Sequence, residues 1–452
     1  MRTRTLTRPE PTSSLRPVRG PRDWPLRSAA RLQSDPYGLA QDLRRNYGDV
    51  SSIRVLGRDV VIAQGPEAAW QLVRNHGRTF ANAPVYDFAL GRFFERGILL
   101  MDSAEHHHHR LVMQQAFTSD RLAGYQDRMT PLVADALDAI PLGEGVDMRT
   151  VMKSITLDVA LEVFVGETLP RSQADEINRA FIDLIEAGGS LIRFRLPGAK
   201  WDRGIRARRT VDDFFRSLLP ARRADPGPDL FSTLCHAHGP DGEKLSDDDV
   251  LDQMRFMLFA AHDTATIALT GMAYHLGMHT EWQERARREV LTMPERLGYD
   301  DLDAMPTMDL IMKEALRLRP PVPAIPRAAV RDTELCGHFI PAGTFVVSLV
   351  GSNHRLPDVW PNPDAFDPER FAPDRAEQSV HRMAWMPFGG GAHKCIGMSF
   401  ARMEAFTVMH AMLRSMSWSV PPGSGMHRRD QSLTDNAGFD AVIEKLGARL
   451  SG

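Results

Sequence analysis

The feature that most constrains this chain is a loop in which three consecutive glycines precede a lone cysteine. The run Phe388-Gly-Gly-Gly-Ala-His-Lys-Cys-Ile-Gly397 places Cys395 just before an apolar helical pattern. Glycine reaches positive φ easily and lets the backbone pass very close to a flat ligand. At a helix N-terminus, the dipole and the free N–H groups favour a thiolate over a thiol. The loop is therefore predicted to present a thiolate.

A lone thiolate in this setting suits a single axial ligand of haem iron better than a zinc site or a disulfide, because no second cysteine is near. The alternative is a glycine-rich turn that holds a buried cysteine. The run also resembles the motif F-x-x-G-x-x-x-C-x-G of the cytochrome P-450 family, with Phe388, Gly391, Cys395 and Gly397 in its four fixed places. The resemblance implies haem b (iron protoporphyrin IX) as cofactor, Cys395 as the iron ligand, and Phe388 and Gly397 as haem contacts.

Composition restricts the class of protein. With 43% hydrophobic and 25% charged residues, the chain is typical of soluble globular proteins, and a net charge of −3 gives no general attraction to nucleic acid. Three widely spaced cysteines favour a reducing compartment, here the cytoplasm. The N-terminus has no apolar core, so neither a signal peptide nor a transmembrane anchor is expected, and its prolines argue against a transit peptide. We expect a flexible, solvated leader at 1–30 and a single haem domain at 31–452.

The resemblance implies a mainly α fold with a small β-rich lobe, in which one long central helix lies over the haem. The periodicity agrees, because most of residues 120–320 have a helical pattern. Residues 50–64 predict a hairpin, and residues 335–350 predict a second hairpin with its turn at Pro341-Ala-Gly343.

Residues 248–278 are the longest apolar stretch without proline. A transmembrane span is one interpretation, but Arg255, His262 and Asp263 interrupt the apolar run. The stretch therefore predicts a long buried helix.

The segment Ala260-Ala-His-Asp-Thr264 lies within that predicted helix. Its residues alone fit either a satisfied polar pair in a core helix or a site that handles protons. The P-450 resemblance favours the second, because family members carry this pattern over the distal face of the haem. It implies that Ala260 and Ala261 leave room for dioxygen, and that Asp263 and Thr264 are the catalytic residues that supply protons. Ala261 stands where glycine is commoner in the family.

Glu314 and Arg317 are spaced i,i+3 on an amphipathic helical pattern that stops at Pro320-Pro321. By itself such a pair is a surface salt bridge worth less than about 1 kcal/mol. The resemblance implies instead that the pair is buried, is joined by Arg370, and is needed for haem incorporation.

The resemblance also implies cationic partners for the two haem propionates: His106, Arg110, Arg327 and His393. His106 begins a run of four histidines. Successive helical positions point about 100° apart, so four adjacent histidines cannot converge on one metal ion.

Substrate contacts are predicted from an aromatic loop before the His106 helix and from the residues after Pro320-Pro321. These residues suggest a largely apolar substrate of some size: Tyr86, Phe88, Phe93, Val322, Ala324 and Ile325. The basic stretch 193–209 is either a solvated charged face or a site that attracts a substrate carboxylate.

The resemblance thus implies a haem-thiolate monooxygenase that activates dioxygen and hydroxylates a sterol, terpenoid, fatty acid or polyketide-like molecule. It implies a separate electron donor, a ferredoxin or flavodoxin with its reductase, which Lys394 and Arg402 could face. The alternatives are a P-450-type isomerase or coupling enzyme, a peroxygenase, and a haem-binding sensor. Asp263 and Thr264 argue against a peroxygenase. A sensor would usually carry a signalling domain, and none is visible.

Overall fold

The computed structural model describes residues 3–22, 25–55, 57–166, 169–188, 190, 193–240, 242–428 and 437–446. Helices make up 57% of the chain, which confirms the mainly α fold class. The α-helices are α1 (Pro25–Ser34), α2 (Pro36–Tyr47), α3 (Pro66–Arg74), α4 (Ala83–Tyr86), α5 (Arg92–Phe94), α6 (Ser103–Gln114), α7 (Ser119–Asp138), α8 (Met148–Ala160), α9 (Arg171–Gly188), α10 (Lys200–Ala224), α11 (Leu230–His236), α12 (Asp247–Met278), α13 (Thr280–Val290), α14 (Pro306–Leu318), α15 (Val350–Asn353) and α16 (Met398–Ser415).

The strands are short and belong to several sheets. They are β1 (Thr3–Thr5), β2 (Arg16–Pro17), β3 (Arg19–Pro21), β4 (Val50–Val55), β5 (Arg58–Ala63), β6 (Phe80–Ala81), β7 (Gly143–Asp147), β8 (Ala324–Ala329), β9 (Thr333–Leu335), β10 (His338–Ile340), β11 (Phe345–Leu349), β12 (Met416–Ser419), β13 (His427–Arg428), β14 (Ala437–Gly438) and β15 (Asp440–Lys445). Two turns of π-helix, Asp87–Gly91 and Leu161–Val165, interrupt the helical regions.

Residue contacts divide the chain into two compact units. The sheet unit comprises Met1–Phe88, Leu99–Ser103 and Arg317–Cys395. The helical unit comprises Ala89–Ile98, Ala104–Leu316 and Ile396–Gly452. The predicted iron ligand belongs to the first unit and the predicted catalytic pair to the second.

The sheet unit is built on a seven-stranded sheet with the strand order β1-β3-β4-β5-β11-β8-β6. β4 and β5 pair antiparallel, from Val50 opposite Ala63 to Val55 opposite Arg58, which confirms the predicted first hairpin. β11 runs parallel to β5 and antiparallel to β8. A buried apolar cluster joins these strands to α3, and it includes Val50, Val61, Leu72, Phe80, Ile340 and Val346.

The hairpin predicted for residues 335–350 is wrong, because its two strands belong to different sheets. β10 pairs with β9 and β2, whereas β11 pairs with β5 and β8. The turn at Gly343 (φ +77°) therefore carries the chain from the small sheet to the large one. The tight hairpin lies at Cys336-Gly337, where both residues have positive φ. The alternation of apolar residues fits either pairing, so the pattern alone could not choose between them.

Part of the segment predicted to be a flexible leader is built into the large sheet. β1 pairs antiparallel with β3, and β3 pairs with β4 at Arg19 and Ser51. Leu6 and Val18 are buried. The expectation of a solvated leader is wrong for these residues, because strand hydrogen bonds and apolar burial hold them against the sheet. The assignment of residues 31–452 to one domain stays a prediction.

The helical unit contains α12, which is 32 residues long and confirms the predicted buried helix. The Ser246 hydroxyl caps its N-terminus by accepting a hydrogen bond from the Asp249 N–H, and the aspartates of the first turn complement the helix dipole. α12 packs against α8 and α16. Among the described helices, none is both long enough and apolar enough to cross a membrane.

Candidate functional site

The cysteine loop, residues 386–395, is shaped by its own backbone and by two glycines with positive φ. The Cys395 N–H donates to the Phe388 carbonyl oxygen at 2.9 Å. Gly389 and Gly391 have φ values of +68° and +66°. A Cβ on Gly391 would lie 2.0 Å from the carbonyl oxygen of Val73, in the last turn of α3. Only glycine therefore allows the loop to rest on this helix.

The three cysteines differ in the environment of the thiol. Cys235 is buried, and burial raises the pKa of its thiol to about 11. Cys336 is half-buried, and burial again raises the thiol pKa to about 11. Cys395 is exposed. Because the thiolate is the form that binds metal, the two raised pKa values favour Cys395 as the ligand.

Arg327, on β8, holds a buried guanidinium in the sheet unit. It donates a hydrogen bond to the Pro326 carbonyl oxygen (2.8 Å) and forms no ion pair with a carboxylate of the described residues. Desolvation by burial lowers its pKa, while the charges of Tyr86 and Asp102 act in the opposite direction. A guanidinium has five N–H donors, so Arg327 retains donors for an anionic group.

Asp102 lies near this guanidinium and beside the cysteine loop. Its carboxylate accepts hydrogen bonds from the N–H groups of Asn82 and Ala83, both at 2.9 Å, and lies 3.6 Å from Nε2 of His393. Burial raises the pKa of this carboxyl, but His393 and the two N–H groups outweigh burial, and the pKa is lowered. The structure thus places Arg327 and His393, two of the predicted propionate partners, around an acid that the sequence did not reveal.

On α12, the predicted small residues form a stripe that stays partly exposed on an otherwise buried stretch of helix. Ala260, Ala261, Thr264 and Ala268 are half-buried, while the residues between them are buried. Their spacing of three and four residues places them on one face. The Thr264 hydroxyl donates to the Ala260 carbonyl oxygen (2.7 Å) and lies 3.3 Å from that of Ala261. The threonine hydroxyl therefore hydrogen-bonds the backbone of its own helix.

The Asp263 carboxylate is buried between α12 and Lys153 of α8. Its Oδ1 lies 4.0 Å from Lys153 Nζ and 4.0 Å from His262 Nδ1, and no described residue gives it a hydrogen bond. Nε2 of His262 lies 3.2 Å from the Lys153 carbonyl oxygen. Burial lowers the pKa of His262 despite the nearby Asp263 charge, so Lys153 is the cation that balances the acid. Because this ion pair is long, Oδ1 can still accept a hydrogen bond from a proton donor.

The histidine run on α6 divides into buried and exposed members. His106 and His109 are buried, His108 is half-buried and His107 is exposed. Arg110 is half-buried and shares a helix face with His106 by its i,i+4 spacing. In the described ranges, no group of three His, Cys, Asp or Glu side chains could hold a metal ion. The propionate role of His106 and Arg110 stays a prediction.

Glu314, Arg317 and Arg370 are buried, with exposed fractions of 0%, 0% and 1%. Arg317 donates to three carbonyl oxygens: His354 (2.8 Å), Pro363 (2.7 Å) and Ala365 (3.1 Å). Arg370 binds three acceptors: the carbonyls of Pro361 and Asn362 and the carboxylate of Glu377 (3.0 Å). The two arginines therefore fix the backbone of one stretch, residues 361–365, which agrees with a structural role. Glu377 was missed because it begins a four-residue 3₁₀ helix, which is too short to show periodicity in the sequence.

The predicted substrate residues lie in different environments. Phe88 and Val322 are exposed, Tyr86 and Ala324 are half-buried, and Phe93 and Ile325 are buried. The Arg58 guanidinium lies 5.2 Å from the centroid of the Phe88 ring. Trp201 meets Phe93 edge-on, with 5.0 Å between ring centroids, and Ile325 packs in an apolar cluster with Val73 and Met386. Phe93 and Ile325 thus make core contacts. Contact of these six residues with substrate stays a prediction.

Several arginines of the basic stretch 193–209 are paired with carboxylates of the helical unit. Arg203 binds Asp183 (2.8 Å) and Glu186 (3.0 Å). Arg208 binds Glu95 (2.8 Å). These pairs favour a charged surface over a site that attracts a substrate carboxylate.

Comparison with known proteins identifies the family. The sequence model of the family described as Cytochrome P450 matches residues 18–439. The chain belongs to the cytochrome P450 family. This P450 is therefore a monooxygenase, an oxidoreductase whose cofactor is an iron haem. The predicted family and fold are confirmed.

Named relatives and a solved structure agree. A Mycobacterium tuberculosis protein named cytochrome P450 136 is 38% identical over 423 residues, which cover 90% of this P450 and 84% of the relative. Cyclooctat-9-en-7-ol 5-monooxygenase of Streptomyces melanosporofaciens is 29% identical and covers 84% of each chain. The structure titled retinoic acid bound cyanobacterial CYP120A1 matches with a TM-score of 0.82 at 27% identity, over 92% of this chain and 96% of that chain.

The residues of this P450 fit the haem that the family implies. Cys395 supplies an exposed thiol for the iron. Arg327 supplies a buried guanidinium that forms no ion pair with a carboxylate of the described residues. Such a guanidinium is suited to bind a propionate. The small residues of α12 supply a face without bulky side chains. The chain therefore has a suitable group for each part of the haem: a thiol for the iron, a guanidinium for a propionate and a face of small residues for the flat ring.

Proposed function

We propose that this P450 uses haem b, bound through Cys395, to hydroxylate a fairly large apolar molecule. The observation that carries the proposal is the exposed thiol of Cys395 in a loop that rests on α3 through Gly391. When bound, a haem with a thiolate ligand supplies the chemistry that activates dioxygen. The protein residues hold the cofactor, orient the substrate and supply protons.

The cofactor would be held from several elements of the fold. Arg327 has free guanidinium donors in a buried place, and His393 lies in the cysteine loop beside Asp102. Both are suited to a propionate, because a charge-assisted hydrogen bond to a carboxylate is stronger than a neutral one. His106 and Arg110 would serve the propionates from α6, and Phe388 and Gly397 would contact the ring.

Thr264 and Asp263 would handle protons on α12. The Thr264 hydroxyl donates to the Ala260 carbonyl, so its lone pairs are available to accept a hydrogen bond, and rotation of the hydroxyl makes it a donor on the small-residue face. Asp263 directly precedes Thr264, and its side chain points about 100° away around the helix. Its carboxylate would leave the 4.0 Å pair with Lys153, take up a proton from solvent, and donate that proton inward.

Electrons would come from a separate ferredoxin or flavodoxin with its reductase. Lys394, in the cysteine loop, is exposed and is suited to meet an acidic donor. Arg402 is already paired with Asp303 at 2.8 Å, which weakens the case for it. We place the protein in the cytoplasm, because two of its cysteines are buried or half-buried thiols rather than a disulfide framework.

The substrate we propose is an isoprenoid or another apolar molecule of similar size. Relatives of this P450 are named for cyclooctat-9-en-7-ol and for a sterol, and the similar solved structure holds retinoic acid. These molecules share a large apolar surface. Because arginines of the 193–209 stretch are already paired with carboxylates, we propose that an apolar pocket, rather than this basic stretch, selects the substrate.

The test compares serine variants of the three cysteines. Cys395→Ser should abolish the red-shifted Soret band of the reduced carbonyl complex, because serine cannot supply a thiolate. Cys235→Ser and Cys336→Ser are matched controls and should retain the band. Retention of the band in Cys395→Ser, with its loss in either control, would overturn the assignment.

A further inference from the structure

The segment 93–98 of the helical unit lies against the first half of α12 so closely that one position requires glycine. A Cβ on Gly97 would lie 2.7 Å from the ring of Phe256. Arg96 binds two helices at once: its Nε donates to Asp249 of α12 (2.7 Å), and its guanidinium pairs with Glu105 of α6 (2.9 Å). The segment is therefore held between α6 and α12.

Gln253 binds the backbone of this segment from inside the protein. Its side chain is buried, with an exposed fraction of 0%. Oε1 accepts a hydrogen bond from the Ile98 N–H (3.0 Å), and Nε2 donates to the Arg96 carbonyl (2.6 Å). A flipped amide would set oxygen against oxygen and N–H against N–H. The two backbone partners therefore determine which way the amide points.

His109 completes this arrangement. The Gln253 amide nitrogen lies 3.2 Å from Nδ1 of His109. Because that nitrogen is a donor, Nδ1 must accept, and the imidazole is neutral with its proton on Nε2. A protonated imidazole would place a donor against a donor at a buried site.

The charges around His109 are balanced. Burial lowers its pKa, and four groups act on it: Asp249 from α12, Arg96 from the segment, and Glu105 and His108 from α6. The neutral form therefore prevails in the folded protein at neutral pH. Its hydrogen bond is retained above the ordinary histidine pKa near 6.5 and is lost as the pH falls through the lowered value.

The segment carries an aromatic side chain to the small-residue stripe. The ring of Phe94 packs on that of Phe259, with 4.5 Å between centroids, and meets Phe256 edge-on at 6.3 Å. Phe94 is buried, while Phe259 is half-buried and directly precedes Ala260. A shift of the segment would therefore move the rings that border the stripe.

We propose that Gln253 and His109 are positioning residues that fix the 93–98 segment on α12, set the Phe94–Phe259 pair beside the stripe, and thereby select among apolar substrates. Protonation of His109 releases the segment. The proposal rests on the proposed function, because the stripe selects substrates only if oxidation takes place there.

Four variants separate this role from simple stability. Gln253→Leu removes the hydrogen bonds to the segment at similar volume, and His109→Leu removes the acceptor. His109→Asn retains an acceptor near the position of Nδ1 but cannot titrate. His107→Asn is the matched control, because His107 belongs to the same run and is exposed.

The first measurement is hydrogen–deuterium exchange of the Ile98 amide, corrected for the intrinsic rate, in a pH series from 8 downward to the pH at which NMR shows the His109 imidazole to be protonated. Gln253→Leu and His109→Leu should exchange about 10–100-fold faster than the parent at pH 8. The parent and His107→Asn should lose protection as the pH falls through the lowered pKa of His109, and His109→Asn should keep it. Unchanged protection in Gln253→Leu overturns the positioning role. Protection that is equal above and below the pKa of His109 in the parent overturns the release. If Gln253→Leu does not fold, the His109 pair decides both points.

The second measurement is the affinity of the haem-loaded protein for 1-dodecylimidazole relative to imidazole. Gln253→Leu should change this ratio at least several-fold, and His107→Asn should not. If the Ile98 amide of Gln253→Leu loses protection but the affinity ratio stays unchanged, the proposed link between the segment and substrate selection is overturned. Absence of a thiolate-type carbonyl spectrum in the parent would instead contradict the proposed function, and the exchange data would still decide the positioning role.

Discussion

The glycines at 389, 390 and 391 make different demands on the cysteine loop, and alanine variants should separate them. Gly389 and Gly391 have positive φ, whereas Gly390 is extended at φ −167°. The space for a Cβ also differs. At Gly389 the nearest atom lies 3.9 Å away, and at Gly390 the end of the Met383 side chain and Cγ2 of Val73 both lie at 3.1 Å. At Gly391 the backbone oxygen of Val73 lies at 2.0 Å.

These differences set the expected order of stability. Gly389→Ala should cost about 1–2 kcal/mol, because an alanine is forced into the left-handed region without a clash. Gly390→Ala should cost less than about 1 kcal/mol, since Met383 and Val73 need to give way by only a few tenths of an ångström. Gly391→Ala combines the strain with a clash against helix backbone. Overpacking typically adds about 1–3 kcal/mol, so the total is about 2–5 kcal/mol. That is a large share of the stability of a typical domain.

The assay is urea unfolding of each variant, together with the ratio of Soret to protein absorbance after purification. We expect the loss of stability to rise from Gly390→Ala through Gly389→Ala to Gly391→Ala. Haem content should fall most in Gly391→Ala, because the loop must leave α3 and carry Cys395 with it. A Gly391→Ala protein as stable and haem-replete as Gly389→Ala would show that the Val73 carbonyl does not confine the loop.

Other predictions concern buried groups and the proton pathway. Arg317→Ala leaves three carbonyl oxygens without their donor and should lower the free energy of unfolding by about 3–5 kcal/mol in urea titrations; a loss below about 1 kcal/mol would mean that solvent replaces the donor. Burial raises the pKa of Glu404 to about 8, so its favourable contribution is present below the ordinary pKa of 4.5 and is lost as the pH rises through 8. Glu404→Gln should therefore raise the unfolding temperature relative to the parent at pH 8 but not at pH 4.5, and equal gains at both would contradict this. Thr264→Ala should still bind haem and oxygen but should divert electrons from product to hydrogen peroxide, with product yield per donor falling about 10²–10⁴-fold if the proton transfer is fully lost. Thr266→Ala, which removes an equivalent bond to the His262 carbonyl from a buried face of α12, should remain coupled.

Features carried by one continuous stretch of sequence could be predicted. The cysteine loop needs particular residue types at fixed spacing, and the long helix of residues 247–278 follows from a long, largely apolar stretch without proline. Burial of Arg317 and Arg370 was also anticipated, although only the family resemblance distinguished it from a surface ion pair.

Features that depend on distant segments could not be predicted in the same way. Asp102 and His393 are 291 residues apart in the sequence, and neither position has a local pattern that implies the other. The same holds for Gln253, whose partners lie in a loop and on another helix. A buried glutamine in an apolar helix is the one available signal, because a buried amide needs hydrogen-bond partners. The prediction that β10 and β11 form a hairpin was wrong for a related reason. Alternation of apolar residues does not specify which strand is the partner, and the two strands belong to different sheets.

The first strands of the chain have a practical consequence for protein engineering. β1 and β3 cover one side of β4, and Gly20 approaches the backbone of Ser52 so closely that a Cβ would collide with its carbonyl oxygen. Deletion of residues 1–22 would turn β4 into an edge strand with unpaired N–H and C=O groups. Such an edge is a template for association with another polypeptide. A shortened version chosen for convenience of expression would therefore gain a tendency to aggregate, although every residue near the cysteine loop would be intact.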